Sequence, residues 1–342
     1  MFVTSLGLLS WFGISSIRLP NHSANAPTKI TTLSFTSDTP CLTRRVLDGK
    51  CVSDKEKKSE SIVAAIIDNH PEARPQLGLA QASVVYEAPV EANYTRFLAL
   101  YPLSDELSQV GPVRSARPYY LDWVAEYQAL FMHVGGSPQA LDLLSERSVV
   151  DVNEFYRGWY FWRSDSKSAP YNVYTKSNLW KKAWNDYAVT SSVPVVSWNF
   201  SEKPWCEGEC TYEKIQSIEI LFSSPNFEVT WKYNTTTNQY VRYQGSAVHT
   251  DETGEPIVAD TIIVQSVQTK IIDTIGRLSI ATVGEGKVQV LRDGWLGKGK
   301  WQKTSPESRT QWLWSESLQP IPIKPGKIWI EVLPQNGSWS ID

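Results

Sequence analysis

The sequence predicts an α+β protein in which a layered mixed-sheet and helix N-terminal domain is followed by a β-rich C-terminal domain. Three observations carry that expectation. A chain of 342 residues with 42% hydrophobic content is long enough for two domains rather than one small core. The first half mixes strand-like runs, IVAAII at 62–67 and TRFLALY at 95–101, with a helical stripe of Tyr120, Val124, Tyr127 and Phe131 at three-to-four spacing. Beyond residue 217, short β-rich runs recur between turn signals. The expected organisation is an apolar segment at 1–17, a spacer at 18–60, an α+β domain at 61–200 and a β-rich domain at 211–335.

In chain order, MFVTSLGLLSWFGISSI is apolar and uncharged, and reads as a signal peptide or membrane anchor. Ala24-Asn25-Ala26 has the form of a cleavage site, but Pro27 in the next position disfavours cleavage and favours an anchor. The Ser, Thr, Pro and Lys-rich stretch to residue 60 lacks periodicity. Strands follow at 62–67, 82–87 and 95–101, the last two as a hairpin, with Phe97, Ala99 and Tyr101 on one face and Arg96 and Leu98 on the other. Pro118 starts a helix that runs from Tyr119 to Leu130. Phe131 to Val134 is a strand, and Ser137 caps a helix from Pro138 to Leu144. The aromatic and arginine-rich run from Phe155 to Arg163 covers the core or forms a pocket wall, with Arg157 or Arg163 toward a ligand. A further helix begins around Ser177. Eight strands are expected between Ile218 and Val332, with turns at Asn234-Thr235, Thr253-Gly254, Asp293-Gly294 and Pro325-Gly326.

A net charge of −3 excludes the basic field that nucleic-acid binding relies on, so no nucleic-acid partner is expected. The 15 Trp and 15 Tyr suit either core filling or carbohydrate stacking. Four cysteines, Cys41, Cys51, Cys206 and Cys210, are spaced for two local disulfides, which places the chain in an oxidising, extracytoplasmic compartment. No metal site is expected, because the CxxxC pair has only His133 and His249 as further ligands and neither lies near it in sequence, and no cofactor is expected, because the glycine pattern matches neither a phosphate-binding loop nor a dinucleotide fingerprint.

AAIIDNHPEARPQLGLAQASVVYEAPVE, TRFLALY, GPVRSARPYYLDW and HVGGSPQA resemble the N-terminal domain of the YerB-like family of bacterial proteins. YQGSAVHTDETGE, IIVQSV, GRLSIATVGEGKVQVLRDG, GKWQK and PGKIWIEVLP are similar to its C-terminal domain, so the resemblance spans residues 62–334. It implies an extracytoplasmic lipoprotein of layered sheets and helices, and no reaction. The chain departs from the family in having no lipobox cysteine near its start.

The polar chemistry concentrates between Val110 and Gln139. Arg96, Arg114, Ser115 and Arg117, with His133 and the Gly135-Gly136-Ser137 turn, could form an anion site, because guanidinium forks and backbone N–H groups both recognise oxyanions. Asn69 and Glu87 complete the candidate ligand set. The structural alternative pairs each arginine with Glu87, Glu91, Asp122 or Glu126. Parallel strands ending at Asn69-His70 and at His133 would bring His70, His133 and Ser115 together as candidate catalytic residues. His249-Thr250-Asp251 reads as a solvated turn. The expected function is therefore an extracytoplasmic envelope protein, attached to the membrane through its N-terminal segment and binding an anionic or glycan-like envelope ligand. The alternative is an envelope hydrolase or phosphoglycan-handling transferase that uses the same pocket.

Overall fold

The structure, a computed structural model, describes residues 41, 43–53, 61–147, 149–187, 189, 195–206, 212–222 and 225–342. The segment 1–17, the tripeptide 24–26, Cys210 and most of the spacer lie outside the described residues. Cys41–Asp342 forms one compact unit, and both core clusters lie within it. The disulfide Cys41–Cys51 closes a loop that packs onto the body, with Leu47 and Asp48 buried and Ser83 donating to the Asp48 carboxylate at 2.8 Å.

The first half contributes β1 (Ile62–Asp68), β2 (Val84–Pro89), β3 (Thr95–Pro102), α1 (Pro118–Tyr127), β4 (Leu130–His133), α2 (Pro138–Glu146), β5 (Asp151–Asn153) and α3 (Ser177–Asp186). The second half contributes β6 (Ser217–Leu221), β7 (Glu228–Asn234), β8 (Gln239–Gln244), β9 (Thr261–Val267), β10 (Gly284–Arg292), β11 (Trp295–Lys303), β12 (Gln311–Trp314), β13 (Ile328–Pro334) and β14 (Ser338–Ile341).

One long mixed sheet runs in the order β12-β11-β10-β9-β13-β2-β3-β1-β4-β5. Strands from both halves of the chain meet in its centre, where β2 lies parallel to β13 with Val84 opposite Ile328 and Glu87 opposite Glu331. A smaller antiparallel sheet, β8-β7-β6-β14, is separate. Each face of the long sheet carries its own core. Val63, Ala65, Ile67, Phe97 and Tyr101 pack with Trp180 of α3 and with Ile218 and Trp231 of the small sheet. Ile62, Ala64, Ile66 and Leu98 pack with Tyr120, Trp123 and Tyr127 of α1. Burial on both faces is why β1 is apolar without alternation.

Alternation along β3 places Phe97, Ala99 and Tyr101 in one core and Leu98 and Leu100 in the other, as the sequence predicts. Helix α1 ends three residues earlier than expected. Gln128 adopts a left-handed conformation with φ 50°, and its N–H closes the last turn on Ala125 and Val124. Leu130 is needed instead as the first residue of β4, opposite Val63. Ser137 caps α2 as predicted, accepting from the Ala140 N–H at 3.3 Å. Among the described residues no helix is long and apolar enough to cross a membrane.

Candidate functional site

Strands β1, β4 and β5 are parallel, and β3 runs antiparallel to β1. The ends of β1 and β4 therefore meet the beginning of β3 at one edge of the sheet, with Asp68 opposite Arg96 and His133 one residue beyond the Ala65–Met132 pair. Period-two alternation then divides the predicted residues. Asp68, Arg96 and His133 follow Ile66, Leu98 and Phe131 on the α1 face. Asn69 and Glu87 follow Ile67 and Val85 on the opposite face. The structure thus assembles most of the predicted set and separates Asn69 and Glu87 from it.

On the α1 face, the segment Arg114–Ala116 runs beside Val134–Ser137. Val134 donates to the Arg114 carbonyl at 3.0 Å, and Ala116 donates to the Gly135 carbonyl at 3.0 Å. Gly135 has φ +59°, and a Cβ there would lie 2.6 Å from the Phe155 ring, so the turn requires glycine on both counts. Arg114 Nε donates to Asp68 at 2.5 Å, and its guanidinium lies 5.6 Å from the Tyr171 ring. Arg117 holds Glu91 with two parallel hydrogen bonds, one of them 2.9 Å from Nε to Oε2. Arg96 donates to the Ser115 carbonyl at 3.1 Å and stands 3.8 Å from Glu91, while its Nε has no partner. Three guanidinium groups are thus answered by two carboxylates.

Electrostatics agree with that imbalance. Burial, and after it the charge of Arg117, lowers the Arg96 pKa. Burial pushes the Glu91 carboxyl up, but the hydrogen bond and charge of Arg117, with Arg96 behind it, outweigh burial and hold it at about 2. Beside the cluster His70 stacks on Tyr171, with ring centroids 4.7 Å apart, and meets Tyr94 edge-on at 4.9 Å. His70 Nδ1 accepts from the Glu72 N–H at 3.2 Å.

His133 is fully buried. Its Nδ1 lies 2.8 Å from the Gly135 carbonyl, which can only accept, so Nδ1 donates there. Its Nε2 faces Asp151 at 3.3 Å. Neither Ser115 nor His70 is among the hydrogen-bond partners of His133, and the Ser137 hydroxyl is engaged as the α2 cap, so among the described residues no nucleophile is hydrogen-bonded to His133. Arg157 pairs with Asp151 at 3.6 Å, and Arg163 pairs with Glu154 at 3.0 Å.

Asn69 and Glu87 belong to a second, buried network under the small sheet. Glu87 accepts from Arg242 at 2.6 Å, Thr95 at 2.7 Å and Asn69 at 3.2 Å. His249 bridges Arg242 at 2.6 Å and Gln76 at 2.9 Å, and Trp231 donates to Glu331 at 2.6 Å. Burial, then the neighbouring Glu87 charge, raises the Glu331 pKa well above the usual carboxylate range. Burial, then Arg242, lowers that of His249. The expected solvated turn at 249–251 is overturned: His249 and Asp251 are buried, because the turn packs against the segment 76–80.

A third polar cluster surrounds Glu126, which the sequence offers only as a partner for the site arginines. Glu126 of α1 accepts from Lys303 at 2.7 Å, Thr310 at 2.8 Å, Tyr86 at 2.9 Å and Arg309 at 3.2 Å. Arg309 is clasped between Tyr127 and Trp198 at 3.9 and 3.6 Å. A cavity of about 770 Å³ adjoins this cluster, and none of the predicted site residues lines it.

Comparison with known proteins places these features in a family. Residues 47–189 match the N-terminal domain, and residues 218–330 the C-terminal domain, of a family described as protein of unknown function DUF3048. The chain is 31% identical over 290 residues to a Bacillus subtilis (strain 168) protein named "Putative lipoprotein YerB", covering 82% of this chain and 83% of that one. The crystal structure of the YerB protein from Bacillus subtilis superposes with a TM-score of 0.76 at 30% identity, covering 87% of this chain and 99% of that chain. With both domains matched in order and the fold shared, the chain belongs to the YerB-like, DUF3048 family.

Proposed function

We propose that this protein is an extracytoplasmic envelope-binding protein that holds an anionic or glycan-like ligand at the sheet edge formed by Arg96, Arg114 and Arg117. The observation that carries this reading is the unmatched positive charge: three converging guanidinium groups, two carboxylates, and a buried Arg96 Nε with no partner. An oxyanion supplies the missing counter-charge, and the His70, Tyr94 and Tyr171 rings offer flat faces to a sugar or another planar body. The relative named as a lipoprotein supports an envelope location. Binding is favoured over turnover because both nitrogens of His133 are occupied by structural partners.

The test is thermal denaturation with pyrophosphate and with soluble glycerol-phosphate oligomers, since a ligand that prefers the native state raises apparent stability. The parent is expected to be stabilised, and Arg114→Gln is expected to lose the effect. No shift with any anionic fragment, or an undiminished shift in Arg114→Gln, refutes the site.

A further inference from the structure

We propose that this protein has a second, protein-borne membrane contact: the hairpin Thr269–Ile280, together with the aromatic ridge Phe155, Tyr156 and Trp159, docks on an anionic lipid surface. At the hairpin tip Ile271, Ile272 and Ile275 are 72%, 45% and 65% exposed. On the ridge Phe155, Tyr156 and Trp159 are 65%, 71% and 62% exposed. Scattered apolar residues on a surface need no explanation, but three isoleucines on one turn and three aromatic rings on another do.

Neither patch is a loose end. The Asp273 carboxylate accepts from the N–H groups of Ile275 at 3.0 Å and Arg277 at 3.1 Å, and Ile272 N–H donates to the Arg277 carbonyl at 2.8 Å. The tip is therefore held with its isoleucines outward. The ridge is fixed by Asn153, whose Oδ1 accepts from Phe155 N–H at 3.2 Å and Gly135 N–H at 2.8 Å. Both patches touch the same short segment: Arg277 donates to Gln139 at 3.2 Å, and the Phe155 ring covers Gly135.

The chemistry selects a lipid surface. Isoleucine side chains suit the acyl boundary, and tryptophan and tyrosine suit the headgroup level. Three acids of the patches are paired, Asp273 with Arg277, Glu154 with Arg163 and Asp151 with Arg157, whereas exposed Lys270 on the hairpin has no ion pair among the described residues. That leaves a cation beside the apolar tip, which favours anionic headgroups. A hairpin tip presents a point, whereas a stable protein interface needs about 800 Å² from each partner.

The test uses residues 41–342, the compact unit that contains both cores, in vesicle co-sedimentation with phosphatidylcholine alone and mixed with phosphatidylglycerol. The parent is expected to partition onto the mixed vesicles. The triple variant Ile271→Ser, Ile272→Ser, Ile275→Ser is expected to lose at least about tenfold in partitioning with the parent's melting temperature, and Phe155→Ala, Tyr156→Ala, Trp159→Ala is expected to lose as much. Equal partitioning of parent and variants overturns the proposal, and so does no parent binding to either vesicle. A change in sedimentation mass of the isoleucine variant without vesicles overturns it in favour of a second copy of the chain. Binding of soluble anions at Arg114 is expected to survive the isoleucine substitutions, which separates this outcome from failure of the arginine site.

Discussion

Substituting Arg242 by methionine tests the physical account of how the two halves of the chain are joined. Arg242 lies on β8 of the small sheet, and Glu87 lies on β2 of the long sheet; both side chains are fully buried and 2.6 Å apart. Removing the guanidinium leaves the Glu87 carboxylate without its charge partner, though still hydrogen-bonded by Thr95 and Asn69. Breaking a buried pair on one side costs about 3–5 kcal/mol, because the surviving charge stays desolvated. The stranded charge also lies opposite Glu331, a second buried carboxyl. Arg242→Met is therefore expected to lose about 3–5 kcal/mol of unfolding free energy at neutral pH. The double variant Arg242→Met, Glu87→Gln removes both charges and keeps an acceptor for Thr95 and Asn69, so most of that loss is expected to return. Equilibrium urea unfolding of parent, both single variants and the double variant gives the coupling directly. A loss below about 1 kcal/mol in Arg242→Met, the range of an exposed ion pair, refutes the reasoning, as does a double variant no more stable than the sum of its singles.

Four further outcomes follow from the same contacts. Glu331 has a folded pKa raised above its usual 4.5, so its contribution is fully present below about pH 4.5 and is lost as pH rises through the folded value. Glu331→Gln is accordingly expected to be more stable than the parent at pH 8, with the advantage shrinking toward pH 4; a pH-independent difference in unfolding free energy contradicts this. Glu91 has the opposite sign: its pKa is depressed to about 2, so it stabilises above the unfolded value near 4.5 and loses that effect as pH falls through 2. The deficit of Glu91→Gln is expected to narrow between pH 6 and pH 3, measured by thermal unfolding. Glu126→Gln leaves Lys303 and Arg309 buried without a counter-charge, and is expected to cost about 3–5 kcal/mol in urea unfolding. Gly135→Ala forces a side chain into φ +59°, for about 1–2 kcal/mol, and displaces the Phe155 ring, so a melting temperature equal to the parent's would contradict the turn geometry.

What could be read in the sequence follows from how local each signal is. IVAAII and TRFLALY declare their strands because the residues on each face are apolar in register with their own neighbours, whatever lies above or below. The cap at Ser137 and the obligatory glycine at Gly135 are equally local. The end of α1 is not, because Leu130 leaves the helix to pair with Val63, 67 positions earlier by number. Strands β12 and β14 were missed for a related reason: QWLW and SWSI are too short to show a period, and only their partners define them.

The arginine cluster shows the same boundary inside one site. That Arg96, Arg114 and Arg117 converge was legible, since a strand start and an adjoining loop must share the sheet edge where β1 and β4 end. Which carboxylates answer them was only half legible: Glu91 was named, whereas Asp68 takes the place expected of Glu87. The reason is parity. Glu87 sits an odd step from the residues facing α1, and side-chain period two sends it to the opposite face, where Arg242 meets it from 155 residues away. A signal for that network did exist. VVYEAP and IWIEVLP each carry one glutamate inside an otherwise apolar strand, and a lone carboxyl in a strand buried on both faces demands a partner. Two such strands pairing in parallel must set their carboxyls side by side or bury each alone. The register places Glu87 opposite Glu331, and burial together with the neighbouring Glu87 charge then raises the Glu331 pKa, because a single guanidinium stands beside two carboxyls.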